Sequence, residues 1–263
     1  MTSGAAPIEA AVPVPFVGLS YGGYGARIGP CGDLRRAALA LRARAFRDGA
    51  SDADRFDDDC LHGLVTSPEG LARVAFRLRL LRHPTDLPSS YTGQFYELSP
   101  LSALPGPFLE LGRVCQSEGP SDLMALRLAW AAIGALVDAQ AVQMLIGCSS
   151  FPGADSAHHR AALATLRANH LGPAELRPGR VSPNTLDLPQ EETPCAPLPH
   201  LLRSYLNMGG WVGDHAVRDV QLDTLHVFTG LCVAAIPEPR KARLRALAQA
   251  AQPSPLDLAR AAP

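Results

Sequence analysis

The residues that could do chemistry stand together in one short apolar stretch, Phe108–Gln116. Glu110 and Arg113 interrupt its strand-forming side chains, and a carboxylate or guanidinium is costly to bury unless it is paired or used. Gly112 removes a side chain between them, which would let another molecule approach the backbone. The pattern predicts a strand that carries functional polar groups beside a bound ligand.

A helix start follows this strand directly. Pro120 suits the first turn of a helix, where its missing N–H is harmless. The apolar positions after it step by three and four, which predicts a helix over residues 120–139. The N-terminus of a helix offers free N–H groups and positive potential, so a strand that leads into one is a common way to hold a phosphate-bearing ligand.

Periodicity and turn residues define the elements that must position these groups. The predicted helices cover residues 34–47, 120–139, 156–169, 201–208 and 239–251, and the predicted strands cover 21–28, 60–65, 71–81, 108–116, 142–148, 211–219 and 225–235. This order predicts an α/β (α+β) fold with helices on both sides of one central mixed sheet. We expect a single domain over residues 21–252, with a Pro-rich crossover at 172–199, a disordered tail at 1–20 and a loose tail at 253–263.

Composition excludes several classes of protein. The chain has 263 residues, 47% hydrophobic and 19% charged, which suffices for a substantial core. Its net charge of −1 argues against general nucleic-acid binding. No apolar run reaches about 18 residues, and the N-terminus lacks the pattern of a signal peptide. Six cysteines without a CxxC pair indicate reduced thiols in a cytoplasm and no zinc site.

Two sets of motifs carry a resemblance to known families. The residues Arg42, Phe46, Asp54, Asp57, Arg77, Glu110 and Arg113 resemble, in order, the pattern of acyl-homoserine-lactone synthases in the GCN5-related acyltransferase superfamily. The segments 94–101, 109–115, 145–155, 201–212 and 225–228 are similar to the L-ornithine N-alpha-acyltransferases, which start bacterial ornithine-lipid synthesis. The likeness covers about residues 34–240, and the joint occurrence of the motifs is more specific than any one of them.

The resemblance implies a GCN5-related N-acyltransferase fold and a reaction. A 3-hydroxyacyl group would pass from the phosphopantetheine thioester of acyl carrier protein to the alpha-amino group of L-ornithine, without a cofactor or metal. The partners would be acyl carrier protein and L-ornithine. The protein would be cytoplasmic, and peripheral contact with the inner membrane is left open. The alternatives are a synthase of the acyl-homoserine-lactone type that uses S-adenosylmethionine and a catalytically silent acyl-binding module.

The resemblance also implies roles for individual residues. Glu110 and Arg113 would be catalytic, with Glu110 binding or deprotonating the attacking amine directly or through water. The substrate-binding residues would be Arg42, Phe46, Asp54, Asp57, Arg77, Ser149 and Ser150, and the acyl-donor-binding residues would be Cys115, Gln116, Gly119 and Ser121.

Each of these roles has a structural alternative. Residues three apart face opposite sides of a regular strand, so Glu110 and Arg113 would share a site only if a bulge formed at Gly112, and they could instead form an ion pair. Asp54 and Asp57 could hold a cationic amino acid or belong to a solvated acidic loop, and Asp57 could instead pair with Arg42 or Arg113 and order that loop. These alternatives stay open at the level of the sequence.

Three further features bear on the mechanism. Residues 116–121 match the usual coenzyme A loop of the superfamily only in part, but a carrier-protein donor has no adenosine and needs that loop less. Cys148 is interpreted as a buried strand thiol, because no cationic side chain adjoins it in the sequence to activate it. The basic helix with Arg240 and Arg243 would be a plain solvated helix or a docking face for anionic lipid or acidic carrier protein.

Overall fold

The computed structural model describes residues 16–190 and 196–251. The strands are β1 (Val17–Tyr21), β2 (Tyr24–Gly29), β3 (Leu61–Thr66), β4 (Ala72–Leu81), β5 (Tyr96–Glu97), β6 (Phe108–Gln116), β7 (Met144–Pro152), β8 (Gly179–Arg180), β9 (Thr185–Asp187), β10 (Trp211–Asp219) and β11 (Thr224–Cys232). The helices are α1 (Gly32–Arg47), α2 (Leu123–Ala139), α3 (Ser156–Asn169), α4 (His200–Leu206) and α5 (Glu238–Ala250). Short 3₁₀ turns fill much of the connection between β4 and β6.

One sheet organises the molecule. Its strand order is β1-β2-β3-β4-β6-β7-β11-β10-β9, while β5 and β8 pair separately. Every ladder in the nine-stranded sheet is antiparallel except that between β6 and β7, which is parallel. The predicted mixed sheet flanked by helices is therefore confirmed, and its single parallel pair lies at the centre.

Helices α1 and α2 cover opposite faces of the sheet. Leu64 and Ala75 pack with α1, whereas their neighbours Val65 and Val74 pack with α2. This alternation follows from the two-residue period of a strand, and it explains why these strands are apolar on both sides.

The structure corrects several predicted boundaries. Strand β1 occupies residues 17–21, so the prediction of a disordered stretch up to residue 20 is wrong for 17–20. Helix α2 begins at Leu123 rather than at residue 120, because the Asp122 side chain accepts a hydrogen bond from the backbone N–H of Ala125 at 3.0 Å and caps the helix there. The Pro-rich crossover is not wholly irregular, since it contributes β9 to the edge of the sheet. The remaining predicted tail residues, 1–15 and 253–263, lie outside the described residues.

None of the helices in the described ranges is both long and apolar enough to cross a membrane.

Candidate active site

The parallel strands at the centre of the sheet part from each other and form a cleft. Their ladder ends where Glu110 of β6 pairs with Ile146 of β7. At the next position a side chain on Gly147 would collide with the carbonyl oxygen of Leu111, so a glycine is required for this close approach. Beyond it lies a cavity of about 410 Å³.

The cavity passes through the sheet from one face to the other. Because side chains alternate along a strand, Glu110 and His226 lie on the face that α1 covers, and Ser149 and Thr229 lie on the face that α2 covers. On the α2 face the wall is completed by residues of α2, α4 and the turn before α4, namely Trp130, Pro199, His200, Leu201, Leu202 and Tyr205. Two substrates could therefore reach the cleft from opposite faces of the sheet.

About half of the residues singled out from the sequence line this cavity. They are Phe46, Arg77, Glu110, Arg113, Gln116, Ser149 and Ser150. The cavity wall does not include Arg42, Asp54, Asp57, Cys115, Gly119 or Ser121. The fold thus brings the central-strand residues together with the β7 serines, and it places the acidic loop behind the wall.

A bulge in β6 brings Glu110 and Arg113 to the same cavity. Arg77 of β4 pairs with Gly112, and two residues earlier Ala75 pairs with Cys115, so β6 carries one extra residue. Arg113 lies at this bulge, and its backbone has a left-handed conformation with φ 51°. The predicted bulge is present, one residue after Gly112. The described contacts contain no ion pair between Glu110 and Arg113, and each binds other groups.

Arg42 is the centre of a buried ion network behind the cavity. Its Nε donates to Asp52 at 2.8 Å and its Nη1 donates to Asp57 at 2.6 Å, and all three side chains are fully buried. Arg77 donates to the same Asp57 oxygen at 3.0 Å. The backbone N–H of Asp54 donates to the other Asp57 oxygen at 2.8 Å. Both oxygens of Asp57 are therefore occupied by protein groups.

Asp54 completes the network closer to the cavity. It accepts from Arg77 at 2.5 Å and from Arg113 at 3.2 Å. Three arginines (42, 77 and 113) and three aspartates (52, 54 and 57) form the centre of the network and balance in charge, and the partly exposed Arg47 adds a contact to Asp52 at 3.5 Å. Such a balance is what makes burial of so many charges tolerable. The geometry favours the interpretation in which Asp57 orders the loop, and substrate contact by Asp54 or Asp57 stays a prediction.

The pKa of Asp57 reports the strength of this pairing. Burial pushes the pKa upward, but hydrogen bonds from Arg42 and the Asp54 backbone, with the charges of Arg42 and Arg77, outweigh it and lower the pKa to about 2. Asp57 therefore stays ionised throughout the neutral range.

Glu110 holds a turn of the chain that the sequence did not associate with it. Its Oε1 accepts from the backbone N–H of Thr92 at 2.7 Å and from the Thr92 hydroxyl at 2.6 Å, and its Oε2 accepts from the backbone N–H of Tyr91 at 3.1 Å. A carboxylate has about four acceptor positions, so three are already used. Glu110 thus anchors the turn, and its catalytic role stays a prediction.

Tyr91 was missed by the sequence analysis, although it lines the cavity. The guanidinium groups of Arg77 and Arg113 lie 5.3 and 5.1 Å from its ring centre. Burial raises the pKa of the phenol above its ordinary value, so it stays protonated. In the sequence, Tyr91 stands out only as part of the polar and aromatic segment 89–101. That composition does not indicate that the turn containing Tyr91 packs on β6.

Cys148 lies at the cleft but is not set up as a nucleophile. Burial, followed by the nearby charge of Glu110, raises the pKa of the thiol well above its ordinary value. Its sulfur is 3.9 Å from the Thr92 hydroxyl. A thiol that stays protonated is a poor acyl carrier, which favours the interpretation made from the sequence.

The predicted donor-binding residues are spread over different environments. Gln116 lines the cavity and accepts a hydrogen bond from the Ser121 hydroxyl at 3.0 Å, which closes the loop before α2. Gly119 is exposed at the tip of this loop, with φ 100°. Cys115 is buried against α1, where burial raises the pKa of its thiol to about 12. Only Gln116 of this group therefore contacts the cavity.

A second groove adjoins the cavity on the α2 face. It has a volume of about 550 Å³ and lies between α2, α4 and α5, and it shares Trp130, His200 and Leu201 with the cavity. Leucines and Met208 form its apolar lining. Three exposed arginines, Arg127, Arg240 and Arg243, also line it, and none of them forms an ion pair within the described residues.

Comparison with known proteins finds a matching domain family and several similar solved structures. The model of the acetyltransferase (GNAT) domain family matches residues 36–131. The solved structures of FeeM, an N-acyl amino acid synthase from uncultured soil microbes, and of BjaI, a CoA-dependent acyl-homoserine lactone synthase, are similar at 11% identity. The match to FeeM has a TM-score of 0.43 and covers 86% of this chain and 96% of FeeM. The match to BjaI has a TM-score of 0.44 and covers 81% of each chain. The domain match places residues 36–131 in the class of GNAT acetyltransferase domains.

Curated relatives narrow this class. The chain is 32% identical over 201 residues to the L-ornithine N(alpha)-acyltransferase of Rhodobacter capsulatus, covering 72% of this chain and 78% of that protein. It is also 32% identical over 230 residues to the protein of the same name from Rhizobium meliloti, covering 76% and 77%. The chain belongs to the L-ornithine N(alpha)-acyltransferase family.

Proposed function

We propose that the protein transfers a 3-hydroxyacyl group from the thioester of acyl carrier protein to the alpha-amino group of L-ornithine, the first step of ornithine-lipid synthesis. The observation that carries this proposal is the cavity that crosses the sheet where β6 and β7 part. An acceptor amine on one face and a thioester on the other can meet there. The names of the relatives support ornithine as the acceptor.

The charges of the α1 face suit an amino acid. Arg77 and Arg113 line the cavity. Arg77 bonds Asp54 and Asp57 through Nη1 alone, and Arg113 bonds Asp54 through Nη2 while its Nε lies 3.3 Å from Asp52. Their other N–H groups can bind the carboxylate of ornithine, for which a guanidinium is well shaped. Glu110 is the carboxylate of the described cavity wall and retains acceptor capacity for an ammonium group.

The α2 face suits the acyl donor. A fatty acyl thioester needs an apolar channel, and the groove between α2, α4 and α5 supplies an apolar surface that adjoins the cavity at Trp130, His200 and Leu201. Arg127, Arg240 and Arg243 would attract the acidic surface of acyl carrier protein. An anionic membrane is the competing partner for the same charges, and the experiment below distinguishes the two.

The reaction itself is direct aminolysis of the thioester. The amine attacks the carbonyl carbon, an oxyanion forms, and the pantetheine thiol leaves. No protein nucleophile is needed, in agreement with the protonated state of Cys148. The backbone amides of β6 and β7 beyond the end of their ladder are available to orient the thioester arm.

The test compares two donors. Purified protein is given L-ornithine and either 3-hydroxyacyl carrier protein or the matching 3-hydroxyacyl pantetheine thioester. We expect transfer from both donors in the wild type. In the double variant Arg240→Glu/Arg243→Glu the KM for the carrier-protein donor should rise at least about tenfold, while the KM for the pantetheine donor stays unchanged, because close charge pairs contribute about 1.5 kcal/mol or more.

Arg82→Glu serves as the matched control, since Arg82 is exposed and lies outside the groove. An unchanged carrier-protein KM in the double variant would contradict docking at the groove. Weaker sedimentation of the double variant with anionic vesicles, at unchanged KM, would assign the groove to the membrane instead. Absence of any transfer to ornithine by the wild type would contradict the proposed function.

A further inference from the structure

A buried histidine on the α1 face of the cavity is used by none of the roles described above. His226 of β11 lines the cavity and is 1% exposed. Its Nε2 has no hydrogen-bond partner among the described residues. A buried polar atom without a partner is costly, and because His226 borders the cavity, a molecule bound there could supply the missing partner.

The tautomer of His226 follows from its hydrogen bonds. The Tyr96 hydroxyl donates its single proton to the backbone carbonyl of His226 at 3.0 Å. The same oxygen lies 3.1 Å from the ring Nδ1, so Nδ1–H must be the donor in that contact. Burial raises the pKa of Tyr96, which keeps the phenol able to donate. In the neutral ring Nε2 therefore carries the free lone pair.

The surroundings keep this imidazole neutral. Burial lowers the pKa of His226 to about 4, which the charge of Asp219 opposes and His215 reinforces. Phe95 packs edge-on against the ring, with centroids 4.7 Å apart. Glu110 lines the same cavity on this face. At neutral pH the ring thus presents a fixed acceptor rather than a cation.

We propose that His226 is the general base of acyl transfer, and that its Nε2 accepts the proton of the attacking amine. The inference rests on the proposed function, because it requires an amine acceptor at this face. A neutral amine donates a hydrogen bond to Nε2, which aligns the nitrogen lone pair with the thioester carbonyl. The residue falls outside the positions assigned from the sequence, although the lone histidine between Leu225 and Val227 in an apolar strand was a visible signal.

The proposed step returns every proton that it moves. As the C–N bond forms, the amine N–H becomes acidic and its proton moves to Nε2, giving an imidazolium and a tetrahedral oxyanion. The oxyanion collapses, the C–S bond breaks, and the imidazolium returns the proton to the leaving sulfur. The products are an amide and a thiol, and His226 ends neutral. Burial disfavours the imidazolium, so it is a short-lived carrier.

The chain offers a matched control, His215 of β10. It is also fully buried, also carries an Nε2 without a partner in the described structure, and packs 5.1 Å from the Tyr96 ring. It does not line the cavity, and its Nδ1 contacts Asp214 at 2.8 Å. The same substitution at the two histidines therefore separates a role in the reaction from a role in packing.

The experiment measures ornithine acylation by the wild type and by His226→Ala, His226→Gln and His215→Ala, each with its thermal melting curve. We expect His226→Gln to lose about 10²–10⁴-fold in kcat. Added imidazole should restore part of the rate of His226→Ala in proportion to its concentration, because the cavity can admit a ring in place of the lost one. His215→Ala should keep its rate and show no response to imidazole.

Activity of folded His226→Gln within about threefold of the wild type would overturn the inference. Equal losses in His226→Ala and His215→Ala, with no response to imidazole in either, would overturn it as well and assign both rings to packing. If His226→Ala does not fold, the near-isosteric glutamine variant alone decides through its kcat. A wild type that does not acylate ornithine contradicts the proposed function, whereas an active wild type with an active His226→Gln contradicts only this inference.

Discussion

Replacing Asp57 by asparagine separates the two interpretations of the acidic loop. The side chain is fully buried and takes hydrogen bonds from Arg42, Arg77 and the backbone of Asp54. The substitution removes one of three negative charges from a balanced network, so two buried guanidinium groups lose a partner. Breaking a buried ion pair from one side costs about 3–5 kcal/mol.

This cost predicts a large change in stability. At about 2–4 °C per kcal/mol for a chain of this size, the melting temperature should fall by about 10 °C. The cavity wall should loosen with it, since Arg77 and Arg113 are oriented by the same network. Because the same two arginines are proposed to hold the ornithine carboxylate, we expect kcat to fall and the ornithine KM to rise only together with the loss of stability.

The assay is thermal unfolding combined with ornithine saturation at saturating thioester. Asp58→Asn is the matched control, because Asp58 is the next residue along the chain and its side chain is 74% exposed. It should melt within about 1–2 °C of the wild type, as surface substitutions cost about 0.5 kcal/mol or less. A melting temperature of Asp57→Asn close to that of the wild type, with an ornithine KM raised about 10–100-fold as for a lost charged hydrogen bond, would contradict this prediction and assign Asp57 to substrate binding instead.

Four further outcomes follow from the site. The free energy of unfolding should fall by about 2 kcal/mol as pH drops from about 4 to 2, because the lowered pKa of Asp57 stabilises the fold only while it is ionised; acid titration of Asp57→Asn should lack this component. Glu110→Gln should lose most transfer activity and about 1–3 kcal/mol of stability, since its amide N–H₂ meets an N–H donor of the turn at Tyr91. Kinetics and urea unfolding check both, and activity within about threefold would exclude Glu110 as a ligand of the amine. Gly147→Val should abolish activity by blocking the cleft against the carbonyl of Leu111, measured against Gly134→Val in α2, where the added Cβ meets no atom within 4 Å and the backbone is helical. Cys148→Ala should stay active, and an acyl group trapped on Cys148 in an intact-mass spectrum would contradict direct transfer.

Much of the fold could be predicted because periodicity and burial coincide in this chain. Helix α3 and strand β10 have the predicted bounds, since each carries one clear period between clear breakers. The bulge beside Gly112 could also be inferred from the sequence. Glu110 and Arg113 are three residues apart on an apolar strand, so they can share a site only if the strand contains a bulge between them.

The rest depends on contacts between distant parts of the chain. The bond from Glu110 to the turn at Tyr91 and Thr92 joins segments whose local sequences give no sign of each other. Strand β9 is three residues long within a Pro-rich crossover and forms only because β10 presents an edge. The pairing of Asp57 with Arg42 was one of several open alternatives, because a run of aspartates looks the same in sequence whether solvated or buried.

The most direct test of the account uses L-ornithine labelled with ¹⁵N at the alpha nitrogen only. Purified protein is incubated with this substrate and 3-hydroxyacyl carrier protein, and the product is fragmented in a mass spectrometer. We expect a single N-acylated ornithine whose acyl group stays attached to ¹⁵N. A product acylated at the unlabelled delta nitrogen, or no product while S-adenosylmethionine yields an acylated lactone, would contradict it.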